Sequence, residues 1–323
     1  MPVTAAEWHQ AKPWIDYSDR DIERYVKGLA NPEDYDLKAM LEHWVEHGVV
    51  IFEGAIDKKL LDLLDEDLDY LVLHNKEFEL EIDRRSERMA ISSLEKEDLI
   101  GETSLKFTNI QTISRAAQHL SCSRLVASFL RHIFLDAPVQ MQSLLFYKGS
   151  QQPLHLDYPY VRNQIQIAKM AASWIPMEDI HEDAGPLAYY CGSHVPEKMP
   201  FFDWGDGNIV MDPDATRNPV DFANYLYAEM ERLKIAPKIF LPKRGDVLIW
   251  HAYLAHEGTP IKNPSLTRKS YVTHYCPLSA VPAWMMKPNA LDEGHYFTLN
   301  GGFVMDFPWI TSSNKLPSFR RLP

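Results

Sequence analysis

The chain has 323 residues, 46% hydrophobic and 24% charged, a balance that describes a globular protein and excludes disordered, collagen-like and membrane-spanning classes. Against 33 Lys and Arg stand 45 Asp and Glu, leaving a net charge of −12. That argues against nucleic acid or a membrane surface as partner, because both need positive potential.

Residues 1–40 are polar and interrupted by Pro13 and Pro32, so they read as an arm with short helical pieces. A helical pattern over 37–45 ends at Gly48, and a short strand over 49–52 is closed by Gly54. Asp57 caps a helix whose Leu60, Leu61, Leu64, Leu68 and Leu71 recur at three- and four-residue spacings. Asp62, Asp65, Glu66 and Asp69 fall between them and read as a solvated face rather than a metal site. The charged stretch 77–98 reads as helix plus loop, and 121–134 as a further helix.

After Pro138 the texture changes to β-rich runs at 139–147, 154–160, 168–176, 187–191, 238–241, 246–253 and 268–275. Glycines 149, 185, 192, 245 and 258 punctuate them, as in a sandwich or barrel. An insert over 196–237 interrupts the runs with a Gly/Asp/Pro-rich loop and a helical patch at 222–233. One α+β domain is expected: an arm and helical support (1–137), a β-barrel core (138–280) carrying the insert, and a C-terminal tail (281–323). Cys122, Cys191 and Cys276 form no CxxC pair, and no leader or apolar span of about 20 residues is visible, so a cytoplasmic protein is expected. No heptad or repeat speaks to oligomeric state.

His155-Leu156-Asp157 is the sharpest chemical signal. On a strand, residues i and i+2 share a face, so the imidazole and the carboxylate converge. His256, at the end of a strand-like run, supplies the third member of a two-histidine, one-carboxylate set, which leaves half an octahedron open as oxygen-activating Fe(II) requires. Arg268 follows 12 residues later. A buried arginine there would hold a carboxylate through paired hydrogen bonds, so the set points to iron and an acidic co-substrate. His251 and His194 read as structural, and the cysteines as small core residues.

Five segments in order, PLHLDYPY, SWIPMED, GPLAYYCGSH, KRGDVLIWHAYLAHEG and TRKSYVTHY, resemble the phytanoyl-CoA dioxygenase family of Fe(II)/2-oxoglutarate oxygenases. Upstream, HWVEHGVVIFEGAID is similar to that family's N-terminal strand, so the resemblance runs over about 37–277. It implies a double-stranded β-helix (jelly-roll, cupin-like) flanked by N-terminal helices, with Fe(2+), 2-oxoglutarate and O2 as cofactor and co-substrates. Residue by residue it assigns His155, Asp157 and His256 to iron, and Arg268, Trp174, Lys106 and Leu144 to 2-oxoglutarate. Where family members often carry a hydroxyl two after the distal histidine, this chain has Gly258. Asp157 stands where related halogenases have a small residue, so hydroxylation, or another oxidation, of an unactivated C–H bond of a small-molecule metabolite, with release of succinate and CO2, is the expected reaction.

Tyr158, Tyr160, Phe202 and Trp204 are candidates for a substrate wall, and the insert and the tail, with its GGFVMDFPW, for a lid. An acyl-CoA substrate fits the negative charge poorly, although Arg84, Arg85 and Arg88 make a local patch. The alternatives are a catalytically silent β-barrel binding module and a cupin-like metal enzyme without 2-oxoglutarate; the intact His-Asp-His set disfavours the first and Arg268 the second.

Overall fold

The computed structural model describes residues 2–84, 87–163, 165–286, 295–306 and 315–322. Its first helix, α1 (Ala5–Gln10), opens on a capping box in which Thr4 and Glu7 satisfy each other's free amides. α2 (Ile22–Lys27) and α3 (Leu37–His47) are capped by the carboxylates of Asp21 and Asp36. Gly48 ends α3 at φ +72°, a left-handed conformation that glycine adopts without penalty. A Cβ there would also lie 2.5 Å from the His194 ring, so the position excludes any side chain twice over. Strand β1 (Val49–Phe52) follows at once.

Helix α4 (Lys58–Leu73) buries Leu61, Leu64, Leu68 and Leu71, each contributing about 1.5–3 kcal/mol relative to exposure. Its acidic positions are not all solvated. Asp62 and Asp65 pair with Arg244 at 2.7 and 3.1 Å, and Asp65 also holds Lys269 at 2.9 Å, so part of that face is tied to the barrel. Asp67 is fully buried and accepts from Ser114 and from the backbone and side chain of Ser318, which anchors the segment 315–322.

The stretch 77–98 differs from its sequence reading. It contains β2 (Glu81–Arg84) and β3 (Glu87–Ala90), paired antiparallel, before α5 (Lys96–Gly101). Ile82 is the one fully buried apolar residue of the two strands, so β2 is set by pairing with Phe107 of β4 (Leu105–Thr108), and β3 by pairing with β2, rather than by local periodicity. Helices α6 (Arg115–Ser121) and α7 (Arg124–Phe134) lead into the barrel.

The barrel strands are β5 (Pro138–Phe146), β6 (Ala171–Pro176), β7 (Leu187–Tyr189), β8 (Lys238–Phe240), β9 (Val247–His251), β10 (His256–Gly258) and β11 (Ser270–Pro277). Between β7 and β8 the insert carries α8 (Pro219–Leu233), opened by Asn218 in a capping box with Asp221. A tail hairpin, β12 (His295–Leu299) and β13 (Gly302–Asp306), joins the main sheet where Phe303 lies beside Val139 of β5.

The main sheet runs β1-β9-β6-β11-β5-β4-β2-β3, and the minor sheet β10-β7-β8. Alternation along the strands decides which residues face which layer. On the outer face, Ile175, Val247, Ile249, Tyr271 and Tyr275 join Leu41, Trp44 and Phe129 of the helices in the largest core. On the inner face, Phe146, Trp174, Leu248, Trp250 and Val272 meet Leu187, Tyr189 and Phe240 of the minor sheet. Two antiparallel sheets enclosing one interior, with helices outside, make a double-stranded β-helix of the jelly-roll type. Among the described residues no helix is long and apolar enough to cross a membrane.

Candidate active site

His155 lies outside the regular strands. It is joined to the minor sheet by a single bridge to His256, with paired backbone bonds of 3.0 Å in each direction. The run expected at 154–160 is therefore not a full strand, because the chain turns at once: the Tyr160 and Val161 amides return to the Asp157 carbonyl at 2.9 Å. The short extended piece is enough to bring His155 and Asp157 to the same side.

Their ligand atoms and that of His256 lie within 4.8 Å of one another. Each histidine is oriented by a backbone carbonyl: Nδ1 of His155 lies 2.8 Å from the Pro153 oxygen, and Nδ1 of His256 lies 2.9 Å from that of Leu254. With a proton on each Nδ1, both Nε2 lone pairs face inward, as metal-binding imidazoles require. Oδ1 of Asp157 is 3.9 Å from Nε2 of His155 and 3.5 Å from that of His256. Burial, followed by the neighbouring His256, lowers the His155 imidazole to about 3, so it is neutral at physiological pH. For Asp157 burial acts upward, but His256, His274 and His155 outweigh it and hold the carboxyl well below the usual range. Two imidazoles with Nε2 turned inward and an ionised carboxylate, converging on one point, are the donor set for a divalent iron.

Arg268 shares the cavity with these three residues. It is 3% exposed, its guanidinium lies over the rings of Phe146 and Trp174 at 5.4 and 5.5 Å, and it donates to Ser270 Oγ at 3.3 Å. Its Nε has no hydrogen-bond partner, and among the described residues it forms no ion pair. Burial pulls it down to about 10, with Glu178 opposing, so it remains a cation beside the cavity with no carboxylate at ion-pair distance among the described residues. That is the arrangement a dicarboxylate would complete.

Trp174 and Leu144 also line this cavity. Lys106 sits next to it, half-buried on β4, donating to Oε1 of Gln152 at 3.1 Å. Burial lowers its pKa against the pull of Asp83 and Asp157. The four aromatics considered for a substrate wall lie elsewhere. Tyr158 is fully buried, stacked on Tyr253 at 5.4 Å and edge-on to Trp8 at 4.8 Å. Phe202 and Trp204 pack on Phe222 of α8, each at 5.1 Å, and Tyr160 meets Trp204 at 5.7 Å. These residues form a second core that seats the insert and the arm, and none lines the cavity of the triad.

The insert does reach the rim of that cavity through Glu257, which accepts from Tyr190 at 2.9 Å and from Tyr227 of α8 at 2.6 Å. The tail hairpin extends the main sheet, whereas the FPW end of GGFVMDFPW lies outside the described residues. Of the basic patch, Arg84 is paired with Glu102 and Arg88 faces Glu81 at 3.8 Å; Arg85 lies outside the described residues.

Sequence reasoning passed over Ser150, Gln152, Trp250 and His274, all of which line the cavity. The last two share the parity of apolar residues on their own strands, His274 that of Val272 on β11 and Trp250 that of Leu248 on β9. Ser150 carried no sequence signal. A Cβ built on Gly258 would collide with its Oγ and lie 2.8 Å from the Gln151 nitrogen, so the loop 150–152 fills the place a side chain would take. His251 is structural as expected: its Nε2 pairs with Asp16 at 3.0 Å, and its Nδ1 accepts the Tyr253 amide.

The sequence profile of the phytanoyl-CoA dioxygenase family matches residues 44–270. No curated protein sequence matches the chain. Among solved structures the chain is similar to the non-haem alpha-ketoglutarate-dependent epimerase SnoN from nogalamycin biosynthesis, at 15% identity and a TM-score of 0.55 over 83% of this chain and 97% of that one. It is also similar to EctD from S. alaskensis with bound Fe, at 15% identity and a TM-score of 0.55 over 78% of this chain and 80% of the other. At such identities the likeness shows the fold, and that fold is the double-stranded β-helix described above.

Proposed function

The chain belongs to the phytanoyl-CoA dioxygenase family, an Fe/2-oxoglutarate oxygenase group, and from that premise we propose that it hydroxylates an unactivated C–H bond of a small-molecule metabolite. The observation that carries the reading is the pairing, within one cavity, of a His155-Asp157-His256 face with a buried Arg268 that forms no ion pair among the described residues. When bound, iron(II) supplies the oxidising chemistry: dioxygen is split, one atom entering succinate as 2-oxoglutarate loses CO2, the other entering the substrate.

The chain's own residues supply orientation and a charged cavity. His155, Asp157 and His256 would hold the metal on one side only, leaving the opposite positions open. Arg268 would take the far carboxylate of 2-oxoglutarate, stiffened by Phe146 and Trp174 beneath its guanidinium. Leu144 would press on the co-substrate's carbon chain, and Lys106 would add positive potential beside the metal ligands. The insert, tied to the rim by Tyr227 and Glu257, is the candidate lid, and the SnoN and EctD complexes fit a small-molecule substrate: one holds Fe3+, alpha ketoglutarate and nogalamycin RO, the other 2-oxoglutarate and 5-hydroxyectoine.

The test is an anaerobic titration of metal-free protein with Fe(II) and then 2-oxoglutarate, followed by visible absorption. A charge-transfer band that needs both additions is the expected result, and a metabolite screen read by succinate release then addresses the substrate. If folded protein gives no band, the oxygenase reading fails and a silent barrel or a co-substrate-free metal enzyme takes its place.

A further inference from the structure

Four residues lie in register across the inner face of the main sheet. His274 of β11 is opposite Ala172 of β6, which is opposite Trp250 of β9, and Gln142 of β5 flanks His274 on its other side. Ala172 is therefore a small residue between two large rings. The second oxygen of the Asp157 carboxylate enters there: Trp250 Nε1–H donates to Oδ2 at 2.7 Å, and Nε2 of His274 stands 3.6 Å from the same atom. Both contacts are on Oδ2, whereas the two ligand imidazoles are ranged against Oδ1. A shift in register between β11 and β5 falls next to His274, the kind of irregularity that re-aims a side chain.

We propose that Trp250 is a positioning residue for the metal centre: its indole N–H, with the His274 ring beside it, occupies Oδ2 of Asp157 and restricts the carboxylate to a one-oxygen ligand. The inference rests on the reading of the triad as a metal site. Trp250 is 3% exposed and its ring lies 5.2 Å from that of His256, so the donor is held by packing on a ligand as well as by its own bond. A carboxylate free to turn would present both oxygens and take up one of the positions that co-substrate and dioxygen need. The indole keeps that position open without entering it.

The test uses metal-free protein in three forms: wild type, Trp250→Phe, and protein with β-(3-benzothienyl)alanine at position 250, which keeps the indole's shape and replaces N–H by sulfur. Mn(II) is titrated anaerobically, with free ion read by electron paramagnetic resonance, and the visible spectrum of the Co(II) form reports coordination number. Asp157→Ala serves as the reference for a lost ligand. The expected result is Mn(II) binding weakened about 10–100-fold in both altered proteins, with a changed Co(II) spectrum. Wild-type affinity and an unchanged spectrum in the sulfur-containing protein overturn the proposal, whatever Trp250→Phe does, because packing would then be the whole of the residue's role. If wild type binds no more tightly than Asp157→Ala, the triad itself is not the metal site and this inference falls with it.

Discussion

Replacing Arg268 by methionine should stabilise the ligand-free protein while abolishing its response to co-substrate. The guanidinium is buried and without an ion pair among the described residues, and burial lowers it from 12.5 to about 10. At about 1.4 kcal/mol per pH unit, that shift is a penalty of about 3 kcal/mol on the buried cation. Because the folded-state value is depressed, the penalty is present in full below about pH 10 and therefore at neutral pH. Methionine fills much of the same space but gives up the ring contacts, about 1 kcal/mol, and the bond to Ser270, about 1 kcal/mol. A net gain on the order of 1 kcal/mol remains. Urea unfolding of the metal-free proteins at neutral pH measures it directly. The same experiment with Mn(II) and 2-oxoglutarate at about 100 times its Kd should add about 2.7 kcal/mol to wild type beyond Mn(II) alone. The variant should gain nothing from 2-oxoglutarate. A ligand-free Arg268→Met protein less stable than wild type, or one that still gains from the co-substrate, would refute the reasoning.

Gly258→Ser should cost about 1–3 kcal/mol, because its Cβ would collide with Ser150 Oγ and crowd the Gln151 nitrogen; adding Ser150→Gly should recover part of the loss in a thermal melt. Tyr227→Phe removes the 2.6 Å bond to Glu257 and should quicken hydrogen exchange of the α8 amides while leaving Mn(II) affinity at the wild-type value. The His194 imidazole is depressed to about 3 by burial and by His251, so between about pH 6.5 and 3 the unfolded chain binds a proton that the native state refuses. Stability should therefore decrease as pH is lowered through that window, by about 1.4 kcal/mol per unit from this group. His194→Gln should flatten the urea-derived slope by that amount.

The metal ligands were legible because their chemistry depends on residue type and on spacings of two residues, which need no tertiary knowledge. Arg268 stood out by residue type: it lies two residues before β11 and lines the same cavity as the three ligands. The charged stretch 77–98 was not legible, since β2 owes its form to pairing with β4 and β3 to pairing with β2, and the two carry one deeply buried apolar residue, Ile82. The aromatic cluster was legible as aromatic but not as core: Tyr158, Phe202 and Trp204 are placed by Trp8 of the arm and Phe222 of α8, which lie 150 residues before and about 20 after them in the chain. Trp250 shows a different limit. Alternation puts it on the inner face, but its bond to Asp157 depends on a turn 93 residues earlier, which no local pattern reveals.

Gly48 sits at a corner where three parts of the chain are clamped together. Its missing side chain makes room for the His194 ring, its carbonyl accepts the His251 amide at 2.9 Å, and the carbonyl of its neighbour His47 accepts the Gly192 amide at 3.0 Å. The long excursion 196–237 begins two residues beyond His194, so its root is fastened to the helical layer as well as, through Ser193 and Ala255, to the strand that carries His256. A graft that exchanged the excursion for one of another length would inherit a fixed stump. The barrel strands would keep their places while the excursion changed in length and sequence.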